Sequence, residues 1–205
     1  MSTPFAKQFL AETVEVIQAI DAGAVDAVAT GLAAIRERGG RLFVLGVGGS
    51  AGHASHAVCD FRKLCALEAY CPTDNASELT ARVNDEGWDS SFAAWLQVSR
   101  LGPKDGLLIF SVGGGDAERN VSANLVHALK LAKQVGASVY GLVGRDGGYT
   151  KKVSDACVVI PPLFGPHVTP HTEGLAAVLW HLLVSNPILA RATTKWESMT
   201  PKATV

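Results

Sequence analysis

The sequence predicts an α/β domain built on a doubly wound, parallel, five-stranded sheet with a helical pair at its N-terminus. Short continuous apolar runs alternate with stretches of helical period, as a parallel sheet with crossover helices requires. Three of those runs end in glycine-rich turns, and the first forty residues carry apolar residues at helical spacing only.

Phe9, Val14, Ile17 and Ile20 recur at helical spacing, and Ala24 to Arg36 repeats the habit until Gly39 and Gly40 stop it. Such a pair can cap the sheet or join subunits, and its apolar faces favour the second use. Leu42 to Leu45 is apolar throughout and ends in Gly46, as in a strand covered on both faces. A helix is expected over 51–64, a short strand over 68–71, and helices over 76–83 and 90–98. Leu107 to Phe110 is the third strand. Asp116 is placed to N-cap a helix running to Gln134, with Gly136 as its stop. Ser138 to Val143 and Ala156 to Ile160 are the last strands. Thr169, followed by Pro170, is placed to N-cap a final helix to about Val184. The whole chain, 1–205, reads as one domain: helices over 1–38, an α/β core over 39–185 and a tail over 186–205 in which only Trp196 looks suited to docking.

At 48% hydrophobic residues the chain can bury a full core. A net charge of −1 points to neither a nucleic-acid nor an acidic-membrane partner. Cys59, Cys65, Cys71 and Cys157 form no CxxC pair, so neither disulfides nor a cysteine zinc site is expected. Without a secretory leader or a span-length apolar run, the expectation is a soluble cytoplasmic protein.

The turns are Gly46-Val47-Gly48-Gly49-Ser50, Ser111-Val112-Gly113-Gly114-Gly115-Asp116 and Gly144-Arg145-Asp146-Gly147-Gly148. Glycine lets the backbone approach a ligand closely, and the helix N-terminus that follows offers free N–H groups to an anion. One such turn is usually a plain connection; three at one sheet edge make a phosphate cradle the better reading. The G-x-G-G spacing at 46–49 departs from the dinucleotide fingerprint and the P-loop lysine is missing, so no nucleotide cofactor is expected.

His56 and Asp60 lie four apart on one helix face, and Glu173 and His181 eight apart on another, roughly 80° around the axis. Two carboxylates and two imidazoles can transfer protons or bind a divalent metal; each pair alone is more often a structural hydrogen bond. Asn84-Asp85-Glu86-Gly87 adds an acidic turn. His53, His127, His167 and His171 have no comparable partner by spacing. Trp88, Trp95 and Trp180 read as core or interface aromatics.

These segments, in this order, resemble the sugar isomerase (SIS) domain, and over residues 5–185 the chain is similar to phosphoheptose isomerases, which interconvert sedoheptulose 7-phosphate and a heptose 7-phosphate. The resemblance implies a flavodoxin-like three-layer sandwich, a homotetramer with active sites shared between subunits, and a phosphorylated sugar as partner. It implies catalytic roles for Asp60, Glu173 and His181, and substrate contacts from Gly48, Gly49, Ser50, Asp85, Ser111, Gly113, Gly114, Gly115 and Asp116. It also implies, as in some members, one zinc per site held by His56, Asp60, Glu173 and His181. The chain departs from the pattern: the family's third turn reads Ser-Thr-Ser-Gly-Asn-Ser, so three hydroxyls are gone and Asp116 brings a carboxylate to the phosphate position. Val47 replaces an asparagine, Asp60 a glutamate and Glu173 a glutamine. The expected activity is aldose–ketose isomerisation through a cis-enediol. The rivals are a non-catalytic SIS protein that binds a phosphosugar or a protein partner, and an isomerase for a different phosphosugar.

Overall fold

A computed structural model describes residues 4–199. Helices α1 (Phe5–Gln18) and α2 (Ala22–Glu37) precede β1 (Leu42–Gly46), α3 (Gly49–Cys65), β2 (Ala69–Tyr70), α4 (Ala76–Glu86) and α5 (Ser91–Val98). Then follow β3 (Gly106–Ser111), α6 (Ala123–Val135), β4 (Ser138–Val143), α7 (Gly148–Val153), β5 (Ala156–Val159), α8 (Val168–Ser185) and α9 (Lys195–Met199). The strands are all parallel in the order β2-β1-β3-β4-β5. The order reverses between β1 and β3, and the crevice beyond their carboxyl ends is where such sheets bind ligands.

Alternation along the strands divides the core into two layers. Leu42, Val44, Leu108, Phe110, Tyr140 and Leu142 face α2, α3 and α8. Phe43, Leu45, Leu107, Ile109 and Val139 face α5 and α6. Burial of both faces explains why the strands read as unbroken apolar runs.

The amino edge of the sheet is fastened by Asp105, which is 5% exposed. Its carboxylate accepts the Arg41 backbone N–H at 2.9 Å, the Arg41 guanidinium at 2.8 and 3.2 Å, and the Gly102 N–H at 3.0 Å. One side chain thereby ties the start of β1 to the turn before β3.

Two expected caps fall elsewhere. Helix α6 starts at Ala123, after Ser122 in the left-handed region, not at Asp116. Asp116 instead closes a separate loop: its Oδ1 accepts the N–H groups of Glu118 and Arg119 at 2.9 and 3.0 Å, and its backbone pairs with Val121. Helix α8 starts at Val168, before Thr169, because a 3-10 turn over Gly165–His167 runs directly into it. Gly136 does end α6 at φ +75°. The tail is held by Arg36, whose guanidinium donates to the carbonyls of Cys65, Ile188 and Leu189 at 2.7–3.0 Å. Trp196 lies on α9, 78% exposed. No single helix among the described residues is long and apolar enough to cross a membrane.

Candidate active site

The glycine turns after β1, β3 and β4 converge, as the parallel topology requires. Gly48 takes φ +62° and ψ −128°, a conformation open to glycine, and turns the chain from β1 into the first turn of α3. The second and third turns pack into each other. Gly114 accepts hydrogen bonds at its carbonyl from the N–H and hydroxyl of Thr150, at 2.9 and 2.7 Å, and the Gly115 carbonyl accepts the Tyr149 N–H at 2.8 Å. A Cβ on Gly114 would meet the Gly147 oxygen at 2.0 Å. These glycines therefore serve loop packing as well as ligand approach. The Gly114 N–H is spent on the Ser111 hydroxyl at 3.0 Å, while the N–H groups of Gly113 and Gly115 have no protein acceptor among the described residues.

These turns wall an open cleft of about 1220 Å³. Of the residues expected to bind substrate, Ser50, Ser111, Gly113, Gly115 and Asp116 line it, and so does Glu173. Gly48, Gly49, Gly114 and Asp85 do not. Gly49 forms the floor under Glu173, whose Oε1 would lie 2.8 Å from a Cβ at that position. Asp85 is exposed on the last turn of α4 and accepts a hydrogen bond from the Asn84 side chain at 2.7 Å.

Three cations that the sequence reading overlooked also line the cleft: Arg119, Arg145 and Lys152. The Arg145 side chain comes within 3.9 Å of where a Gly113 Cβ would stand. Arg119 lies 3.5 Å from Asp116 Oδ2. Backbone N–H donation from Arg119 and Glu118, aided by the nearby charges of Arg119 and Lys152, holds the Asp116 carboxyl below its ordinary pKa. Asp116 is thus a carboxylate turned into its own loop, with cations beside it. The overlooked signal was the basic residue in the loops around 119 and 145 and on α7 at 152, which a net charge near zero conceals.

A second group of polar side chains lies further along α3 and α8. His56 Nε2 and His181 Nε2 each stand 3.6 Å from Asp60 Oδ2, which also accepts the Trp180 indole N–H at 3.2 Å. The His181 Nδ1–H donates to the Ala177 carbonyl at 2.8 Å. His181 Nε2 therefore faces a carboxylate, an arrangement suited to a shared cation, whether a proton or a metal. The donor atoms of His56, Asp60 and His181 lie within 4.8 Å of one another. This donor set, with a backbone carbonyl orienting one histidine, fits zinc. Glu173 is not in this group. Eight residues earlier on α8, about 12 Å along the helix axis, its carboxylate turns toward Gly49 and the cleft, so the four expected ligands divide three and one.

His53 lies between the two groups. Its ring packs 5.1 Å from Trp180, and its buried Nδ1 has no partner among the described residues. Burial lowers its pKa, with His56 adding to the effect and Glu173 opposing it, so His53 is neutral near pH 7.

Sheet order, cleft position and the paired glycine loops define a SIS domain, and residues 7–144 match the family profile described as SIS domain. LmbN, a lincomycin biosynthesis protein of Streptomyces lincolnensis, is 37% identical over 155 residues, which cover 71% of this chain and 54% of that protein. The chain thus spans about half the length of that relative. The phosphoheptose isomerase of Rhodospirillum rubrum is 34% identical over 151 residues, covering 71% of this chain and 74% of the relative. The solved phosphoheptose isomerase GmhA from Neisseria gonorrhoeae superposes with a TM-score of 0.76 at 25% identity, over 87% of this chain and 95% of that one. The chain belongs to the phosphoheptose isomerase family of SIS-domain proteins, a family of isomerases.

Proposed function

We propose that the protein interconverts sedoheptulose 7-phosphate and a heptose 7-phosphate by aldose–ketose isomerisation. The observation that carries this reading is the position of Glu173: a carboxylate in a cleft walled by glycine-loop amides and cations, on the helix that also bears His181. The phosphate lies against the Gly113 and Gly115 amides and the Arg145 guanidinium. The sugar chain then extends into the groove between α3 and α8, so that C1 and C2 lie between the Glu173 carboxylate and the Asp60–His181 pair.

Glu173 removes the proton from C1 of the ketose and returns it to C2 of the cis-enediol. His181, paired with Asp60, moves the hydroxyl proton from O1 to O2, so atoms and charge balance. Such positioned groups contribute roughly 10²–10⁴-fold each. His56, Asp60 and His181 would alternatively hold a zinc ion, which would then supply positive charge against the developing oxyanion in place of the His181 proton relay.

Arg145 stands in for the missing loop hydroxyls. A charge-assisted hydrogen bond contributes about 1.5–3 kcal/mol, so Arg145→Ala is expected to raise KM ten- to a hundredfold, with a smaller effect on kcat. The deciding experiment is incubation with sedoheptulose 7-phosphate and analysis of the sugar phosphates by NMR. Aldose product from the wild type supports the reading; unchanged ketose bound by intact protein refutes it. A second reading, isomerisation of a different phosphosugar, is favoured by Val112 and Gly113, which give the phosphate loop no hydroxyl beyond Ser111. Turnover of a shorter ketose phosphate in place of the heptulose would select it.

We further propose a homotetramer in which neighbouring subunits complete the site. Phe5, Leu10, Val14 and Ile17 of α1 are 40–66% exposed, and Val178 and Leu182 flank His181 on α8 at 45% and 44%. Helix faces this apolar mark contact surfaces. Light scattering on the eluting protein is expected to give about four times the 21.5 kDa chain mass; a monomer would refute it.

A further inference from the structure

We propose that Glu12, His167 and His171 form a second divalent-metal site, of the zinc class, that fastens α1 to the start of α8. The three side chains come from segments more than 150 residues apart, and Glu12 and His171 are 7% and 3% exposed. Glu12 Oε2 is shared by His167 Nδ1 at 2.6 Å and His171 Nε2 at 3.2 Å, and the three donor atoms lie within 4.8 Å of one another.

The remaining polar atoms have partners of the kind that orient metal ligands. Glu12 Oε1 accepts a hydrogen bond from the Gln8 amide at 2.8 Å. His171 Nδ1 lies 3.4 Å from the Thr13 hydroxyl, whose own proton goes to the Phe9 carbonyl at 2.8 Å. The hydroxyl can therefore only accept from His171, so Nδ1 carries a proton and Nε2 faces the Glu12 carboxylate. That pair is suited to share a cation, either a proton or a metal ion. Phe9 stacks on His171 at 4.5 Å, and Phe5 and Phe9 meet His167 edge-on at 5.7 and 5.6 Å, which fixes both imidazole planes.

Tetrahedral zinc with bonds of about 2.0–2.1 Å sets its donors roughly 3.3 Å apart. The His171–Glu12 separation already matches. His167 must withdraw by about 0.7 Å to that spacing, and it sits in a short 3-10 turn at the protein surface, where such a shift is easily made. The His167 side chain is 22% exposed, so water has access to the joint. The turn that carries His167 also contributes Gly165 to the cleft, and Val168 and Thr169 follow it there, so metal at this joint stiffens one wall of the site.

The test uses the full chain carrying His181→Ala, which breaks the other donor group. After chelator treatment this variant is expected to bind one equivalent of cobalt(II) with visible d–d absorption, displaced by zinc, and its thermal midpoint is expected to rise with zinc. Adding Glu12→Gln and His167→Ala is expected to abolish both signals while the circular dichroism stays native. His167 is partly exposed and Glu12→Gln is nearly isosteric, so that variant keeps its fold. Absence of cobalt binding in the His181→Ala protein, or binding that survives the two added substitutions, would overturn the proposal.

Discussion

Replacing His181 with alanine is expected to lower kcat by roughly 10²–10⁴-fold, the usual worth of a positioned proton carrier, with little change in stability. The side chain is 52% exposed, so its removal opens no cavity. Its contributions are polar: Nδ1–H on the Ala177 carbonyl and Nε2 facing Asp60. KM should change little if the phosphate is held at the other end of the cleft. Steady-state kinetics on the sugar phosphate, with a urea melt as control, separate the two effects. Full activity in this variant would remove His181 from the mechanism, whatever becomes of the metal.

The largest effect on stability is expected from Asp105→Asn. The substitution keeps size and shape but turns an amide toward donors: the Arg41 backbone N–H, its guanidinium and the Gly102 N–H. Breaking a buried pair of this kind costs about 3–5 kcal/mol; Arg41 is 29% exposed and regains some water, so about 2–3 kcal/mol is expected at pH 7. That corresponds to a thermal midpoint lower by roughly 5–10 °C. Burial acts to raise the Asp105 pKa, but hydrogen bonds and charge from Arg41, with the Gly102 amide, outweigh it and hold the pKa below its ordinary value. A depressed carboxyl pKa means the stabilisation is present above the unfolded value near 4 and is lost as pH falls through the folded value. The gap between wild type and variant should therefore be full at neutral pH and narrow below about pH 4. Equal urea midpoints at pH 7 would contradict this role for Asp105.

The fold was legible because its signals are local. Apolar runs such as Leu42–Leu45 and Leu107–Phe110 are buried on both faces, and a glycine-rich turn follows each at the ligand edge. Proximity was legible where spacing on one helix determined it, as for His56 and Asp60. It was hidden where partners come from distant segments. Glu12 meets His167 and His171 only because α1 crosses the start of α8, and no spacing reveals that. Asp116 was misplaced as a helix cap for a related reason: the same carboxylate can cap a loop, and the residues 117–121 form one before α6 begins. Arg145 belongs to the third glycine turn, and its place beside Gly113 follows only from the interlocking of the β3 and β4 loops. Glu173 and His181 share a helix face by periodicity, yet the Glu173 carboxylate turns to Gly49, a choice made by the neighbouring α3 turn.

The most direct measurement is a crystal structure of the protein soaked with sedoheptulose 7-phosphate. The phosphate is expected on the Gly113 and Gly115 amides with Arg145 over it, Glu173 within hydrogen-bond reach of the C1–C2 end, and His181 beside the two oxygens. Phosphate bound elsewhere, or a sugar whose C1 and C2 lie remote from both Glu173 and His181, would contradict the account.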